Sequence, residues 1–398
     1  MKINNAIITA ALALGVAGSS FGGTVYISGS TAMRGTIYNV LSATNTVFNG
    51  IPAVTADSTS PSGANHMAFV GTLKGGSGTT TILTSWSGSE AGIANVASNT
   101  ATAFYASFLN SGINVTSNSV SALNATNFTY ANFPVDLAMA DNDIQYSRTP
   151  SAYNSCAQAE VGIVTFKWVR NKGLWTGANT NVTDSQVVQA LSGGTPLATF
   201  TGNAADTNSW VYVSGRDNQS GTRVNAFANA GYGIFTSPHQ IILNGSGNMI
   251  TNAAFDSAYS YYAGDFGQSS GGTLAGTLTN STTSSADQIA GFTGFSVIAY
   301  LGYNDAATAI GGGATELAFN GVGYSPAAIS EGTYTFWGNE YIVKAHTVGS
   351  TDATAVYNSI ITNTPSFCYP TGSSNPNGID LTWMHSTRNS PISAPAHN

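Results

Sequence analysis

Short apolar runs that end in glycine- and hydroxyl-rich turns, each followed by a helical pattern, set the layout of this chain. Thr24-Val25-Tyr26-Ile27 reads as a strand, Ser28-Gly29-Ser30-Thr31 breaks it, and a helix is expected over Ala32–Leu41. Met67–Leu73 and Thr79–Trp86, on either side of Lys74-Gly75-Gly76-Ser77-Gly78, read as a hairpin. Ser87-Gly88-Ser89 then leads into an Ala-rich helical pattern from Glu90 to about Leu109. Val135–Ala140 is a buried-strand run that stops at Asp141-Asn142-Asp143. Val161–Arg170 is a further strand, and Thr183-Asp184-Ser185-Gln186 opens a helix with Val187, Val188 and Leu191 on its inner side. Trp210–Val213 feeds the turn Ser214–Arg223, and a helix continues through Val224–Ala230.

Later in the chain, Phe295–Leu301 and Tyr334–Lys344 read as strands and Asp352–Thr362 as a helix. The Gly/Ser/Thr-rich stretch Ser269–Ser285 reads as a loop or low-complexity insertion, and the tail from Pro370 as irregular. There is no clean internal repeat. Helical and strand patterns alternate from the first strand onward, so an α/β fold with mostly parallel sheets is expected ahead of a sandwich. The Ser/Thr/Asn-rich surface keeps an all-β exported protein as a competitor.

The turn at residues 214–223 holds the densest chemistry. Ser220 suits an N-cap, Gly221 lets a ligand approach the backbone, and Thr222 adds a hydroxyl beside the unpaired amides of a helix start. Such amides and the helix dipole favour a small anion, on which Arg216 can close a guanidinium fork. Arg216 is one of only six arginines in the chain. The ordinary alternative is a capped helix with a solvated Arg. Two further turns, at Thr31 and Ser89, repeat the sequence of strand, polar turn and helix start.

Composition narrows the class. The 398 residues, 42% of them hydrophobic, can fill about two lobes. Only 7% are charged, against about 25% in ordinary domains, yet the 18 Tyr, 18 Phe and 6 Trp oppose disorder. A net charge of −7 without any basic run argues against a nucleic-acid partner. Residues 1–23 read as a secretory signal, with Lys2 ahead of the apolar stretch Ala6–Ala17 and small residues after it, so a periplasmic or secreted location is expected. In an oxidising compartment Cys156 and Cys368 could pair. Asn114, Asn181 and Asn280 begin Asn-x-Ser/Thr triplets, which matter only in a glycosylating host.

Other chemistries fare worse. Asp141-Asn142-Asp143 mimics the start of a calcium loop, but Tyr146 stands where Gly is needed and Ala152 where Glu is needed. Gly267-Gln268-Ser269-Ser270-Gly271 matches the G-x-S-x-G of a hydrolase, and it lacks an expected strand before and helix after. His66, His239, His346, His385 and His397 show no ligand spacing, and two cysteines cannot build a zinc site. No catalytic residue, metal or cofactor is expected.

In the order of its turns the chain resembles the phosphate-binding subunit of bacterial phosphate ABC importers, among the periplasmic substrate-binding proteins, from about Thr24 to about Lys344. The resemblance rests on Ile27–Met33 with its Gly-Ser-Thr turn, Gly88–Ile93, the strand Val135–Asp141, the Arg-x-x-x-Ser-Gly-Thr of Arg216–Thr222, Gly294–Tyr303 and Gly332–Gly338. It implies a two-lobed α/β fold with the ligand between lobes. The chain would cross twice, giving one lobe from 24–159 plus 326–398 and another from 160–325. It further implies that Thr31, the backbone of Ala32 and Met33, and Ser89 donate to an anion from one lobe, and Arg216, Ser220, Gly221 and Thr222 from the other. Asp141 would accept the proton that hydrogen phosphate carries and sulfate lacks.

The expected function is an exported solute-binding protein for phosphate or a similar oxyanion, not an enzyme, and a monomer, with an ABC permease as the implied partner. The alternative is a structural or adhesive exported protein that keeps the fold without the ligand. The chain departs from the pattern at Ala32, where a second hydroxyl is usual, and at Asn218 and Gln219, which replace an acid and a Gly. Asp217 is a candidate to orient Arg216 instead.

Overall fold

The structure, a computed structural model, describes residues 22–398 apart from 59, 106–129, 176, 256–259, 280–285, 348, 349, 391, 392, 394 and 398. The expected signal segment lies outside the described residues except for its last two, as do Asn114, Asn280 and the end of the helix expected over 90–109.

The first lobe runs β1 (Thr24–Gly29), α1 (Arg34–Ser42), β2 (Ala53–Ala56), β3 (His66–Thr72), β4 (Thr79–Ser85), α2 (Ser89–Ser98), β5 (Ala101–Tyr105), β6 (Tyr130–Pro134) and β7 (Leu137–Ala140). β8 (Cys156–Arg170) leads into the second lobe. There follow α3 (Asp184–Leu191), β9 (Trp210–Val213), α4 (Gly221–Ala230), α5 (Gly271–Leu278), β10 (Phe295–Gly302), α6 (Tyr303–Gly311) and β11 (Thr315–Phe319). β12 (Trp337–Ala345) and α7 (Thr351–Asn363) return to the first lobe. The strands join in the order β9-β10-β8-β12-β7-β1-β4-β3-β2.

One strand ties the halves together. β8 is 15 residues long. Its stretch Cys156–Thr165 pairs antiparallel with β12, and its stretch Phe166–Arg170 pairs antiparallel with β10 and, in part, with β11. The sheet is mixed and not mostly parallel: β1 runs parallel to β4 and β7, and β9 to β10, while β8, β12, β2 and β3 pair antiparallel. β10 is buried along its whole length, as a strand covered on both faces must be. Trp168 on β8 forms a triangle of rings with Phe319 and Phe336, at 6.2 and 5.4 Å from them, and meets Tyr300 edge-on at 5.7 Å. Losing a buried aromatic of this kind costs about 3–5 kcal/mol.

Local signals account for most boundaries. Thr183 opens α3 through a capping box, its hydroxyl accepting from the Gln186 amide while the Gln186 side chain accepts from the Thr183 amide. Two expectations fail for physical reasons. The Ala-rich helix stops at Ser98, because Asn99 turns left-handed at φ 50°, and the chain re-enters as β5. The stretch expected as a loop over 269–285 contains α5, capped by Ser270, whose hydroxyl accepts from the Thr273 amide. Leu274, Ala275 and Leu278 form one apolar face against Leu301, Ala306 and Ala309, and that burial outweighs the weak helix propensity of Gly and Thr.

The two cysteines are free and buried in separate apolar clusters, so the pairing that an oxidising compartment would permit is not formed. Cys156 opens β8, whereas Cys368 lies against Gly162 and Gly378. Burial first, then the charges of Asp380 and Glu340, pushes the Cys368 thiol up to about 12.

Candidate functional site

Parallel strands that share an edge deliver their following turns to the same end of the sheet. β1 lies between β4 and β7, so the turns at 30–33, 86–89 and 141–143 converge at their carboxyl ends, where ligands of open α/β sheets bind. Ser30 is the hub of this half. Its hydroxyl donates to Asp141 Oδ1 and accepts from the amides of Ala32 at 3.1 Å and Met33 at 3.3 Å. The Asp141 amide donates to Ser89 Oγ at 3.1 Å. Ser30, Thr31, Ser89 and Asp141 are all buried.

The second lobe supplies the other half from the end of β9. Ser220 caps α4, accepting from the Arg223 amide at 3.2 Å, and this leaves the first-turn amides of Gly221 and Thr222 without intrahelical partners. Thr222 Oγ1 donates to Asp141 Oδ2 at 2.9 Å, across the cleft. Arg216 is 2% exposed. Its Nε and Nη2 donate to the carbonyls of Gln268 and Ser269, each at 3.0 Å, and its Nη1 donates to Thr31 Oγ1 at 3.2 Å. Those carbonyls orient it. Asp217, the candidate for that task, instead accepts from the Gln219 amide at 3.1 Å.

The lobes meet backbone to backbone at two glycines. The Glu90 amide donates to the Gln219 carbonyl at 2.9 Å, and a Cβ on neighbouring Gly88, which sits at φ 110°, would lie 2.5 Å from that oxygen. A Cβ on Gly221 would lie 2.4 Å from Ser89 Oγ. Any side chain at either position would hold the lobes apart.

Four supporting residues escaped the sequence reading. Arg223, fully buried on α4, pairs with Asp265 at 2.5 Å behind the Arg216 turn. Glu90 accepts from Asn142 Nδ2 at 2.7 Å, Ser147 Oγ at 2.9 Å and the Arg148 amide at 2.7 Å; burial nevertheless raises its pKa against those bonds. Glu340 on β12 is the cross-strand neighbour of Asp141, since Tyr341 pairs with Ala140. It is fully buried, and Asp141 is the one side chain its carboxyl can bond among the described residues. Burial, then the charge of Asp141, pushes its carboxyl well above the usual range. A buried Arg on a helix in so charge-poor a chain was the one readable signal, because it must have a partner.

The remaining motif candidates are placed plainly. Asp143 caps a short turn, accepting from the Gln145 amide at 2.7 Å. The helix that a G-x-S-x-G elbow needs is present as α5, contrary to expectation, but in place of a preceding strand Gln268 makes one bridge to Arg216. Among the described residues no group of three or more His, Cys, Asp and Glu could hold a metal, and no helix is long and apolar enough to cross a membrane.

No family model matches the chain, and no curated protein matches it. Among solved structures, a substrate-binding protein from Clostridium perfringens, crystallised with bound phosphate, superposes with a TM-score of 0.50 at 12% identity, covering 90% of this chain and 99% of that one. The chain has the two-lobed fold of periplasmic phosphate-binding proteins. An ABC-type phosphate transport receptor from Vibrio cholerae matches at 12% identity and a TM-score of 0.46, covering 89% of this chain and 99% of that one.

Proposed function

We propose that this chain is an exported solute-binding protein that holds phosphate or a similar oxyanion in the cleft between its lobes and catalyses nothing. One observation carries the reading: Thr31, Ser89, Asp141, Arg216 and Thr222, drawn from separate turns of both lobes, are buried and joined by hydrogen bonds across the cleft. The donors are a guanidinium, hydroxyls and the first-turn amides of α4, which together suit a tetrahedral anion. The Clostridium protein that shares the fold was crystallised with phosphate.

Asp141 gives the site its selectivity. Thr222 now donates to its Oδ2, and the P–OH of hydrogen phosphate can take that place, whereas sulfate has no proton to offer. Each charge-assisted bond contributes about 1.5–3 kcal/mol, so a handful of them, less desolvation and ordering, reaches the roughly −8 kcal/mol of micromolar binding. Entry requires the Thr31–Arg216 and Thr222–Asp141 bonds to part, and the anion then bridges the groups they joined. A permease that reads the closed form is the corresponding partner.

A second reading has its own support. The lobes already clasp through their own groups, with both Asp141 oxygens taking hydroxyl donors and Gly221 packed against Ser89. A structural or adhesive protein that keeps the fold and has lost the ligand would look the same. Calorimetry against phosphate and sulfate at two pH values separates the two. Phosphate heat that vanishes in Arg216→Ala supports binding, and no uptake of radiolabelled phosphate by the intact protein rejects it in favour of the second reading.

A further inference from the structure

A polar cavity of about 340 Å³ opens beside the proposed anion site. Its walls include Thr31 and Ser62 of the first lobe, Asn304 and Thr308 of the second, and Asn375 and Asn377 of the tail. The volume falls within the range of small-molecule pockets and exceeds what a tetrahedral oxyanion fills. Thr31 belongs to both places, since its hydroxyl accepts from Arg216 while the residue lines the cavity. From the proposed oxyanion reading, on which this inference rests, we infer that the ligand is a phosphate monoester with a neutral, hydroxyl-rich substituent seated in this cavity, bound as the monoanion whose remaining P–OH donates to Asp141.

The lining specifies that chemistry. Arg34, 7% exposed, makes a single hydrogen bond among the described residues, to Asn65 Oδ1 at 2.8 Å. Its ion pair with Asp305 is long, at 3.9 Å. Donor capacity therefore remains on a guanidinium whose charge a carboxylate already balances, which suits a hydroxyl oxygen better than a second anion. Asn377, 2% exposed, donates to the Ala32 carbonyl at 2.9 Å, while its Oδ1 has no partner among the described residues. A buried amide oxygen without a donor is costly, and since Asn377 lines the cavity, a turn of its side chain would bring that oxygen to a ligand hydroxyl. The other walls are amides, hydroxyls, glycines, Ala32 and the Asp305 carboxylate, and the polar groups among them exchange hydrogen bonds with a polyol while the carboxylate disfavours a second anionic group. Ala32, which departs from the hydroxyl usual at that place, removes a donor from the cavity's inner edge and leaves room for a substituent.

The test is calorimetry of the full chain at about pH 5.5, where the ester keeps its P–OH, with glycerol 3-phosphate, inorganic phosphate and glycerol. Glycerol 3-phosphate is expected to bind about tenfold or more tighter than phosphate, the effect of one or two added hydrogen bonds, and glycerol alone not to bind. Thr308 is exposed on α6 at the cavity wall, so Thr308→Trp fills the space without disturbing the core. It should abolish the ester's advantage and leave phosphate affinity unchanged. Equal affinity for phosphate and ester, unaltered by Thr308→Trp, overturns the subsite and leaves the phosphate reading standing. Failure of both anions to bind removes the oxyanion reading and this proposal together.

Discussion

Replacing Glu340 with Gln should change how stability depends on pH more than it changes shape. Glu340 is fully buried beside Asp141, and its carboxyl is held well above its ordinary 4.5 by burial first, the Asp141 charge second and a hydrogen bond to Asp141 third. The folded state therefore keeps a proton that the unfolded chain releases near 4.5. Stability from this group is fully present below the unfolded value and is lost as pH rises toward the folded one. Between the two values the slope is about −1.4 kcal/mol per pH unit for one group. A glutamine side chain in its place has the same outline, does not titrate, and can donate its amide to Asp141. Urea midpoints measured upward from about pH 4.5 should show the wild type losing stability relative to Glu340→Gln, by up to about 1.4 kcal/mol per pH unit for as long as Glu340 stays protonated in the folded state. Glu90, Asp217 and Asp305 are also raised by burial, but they are present in both proteins and cancel in the difference. Parallel pH profiles would refute the assignment of Glu340 as a neutral buried acid.

Three further outcomes are expected. Gly221→Ala places a methyl 2.4 Å from Ser89 Oγ, so it should cost about 1–3 kcal/mol and enlarge the radius of gyration by X-ray scattering; an unchanged radius and melting curve would remove this contact as the clasp. Arg223→Met leaves the Asp265 carboxylate only its longer pair with Arg148, at 3.5 Å, and because Asp265 is part exposed the loss in denaturant stability should lie at or below the low end of the about 3–5 kcal/mol range for broken buried pairs, with a loss under about 1 kcal/mol counting against the pair. Both cysteines should resist a thiol reagent in the native protein and react after unfolding, with no effect of reductant on the melting curve; one reactive native thiol would contradict their burial.

What could be read beforehand was whatever depends on neighbours in sequence. Strand ends at Thr31, Ser89, Asp141 and Arg216 stood out because a glycine- or hydroxyl-rich turn must follow a buried run before a helix can start. Their convergence followed only from the parallel pairing of β1 with β4 and β7. Groups that act through distant contacts stayed hidden. Ser30 looked like part of a chain break until its hydroxyl proved to hold Asp141 and two amides. Glu340 is remote from Asp141 along the chain, and only the β12 to β7 register joins them. α5 was missed because Gly and Thr are weak helix formers in isolation, and the face that stabilises it is supplied by α6 and β10. The helix after Ser89 was drawn too long because Ala propensity says nothing of a left-handed Asn99.

The long β8 strand constrains how the molecule can breathe. A pair of lobes joined by slack crossings swings like a door. Here the crossing is a continuous ribbon hydrogen-bonded on its flanks to β12 on one side of the divide and to β10 on the other. Parting the clasp must then bend that ribbon where its partners change, between Thr165 and Phe166, as a leaf spring bends between its clamps.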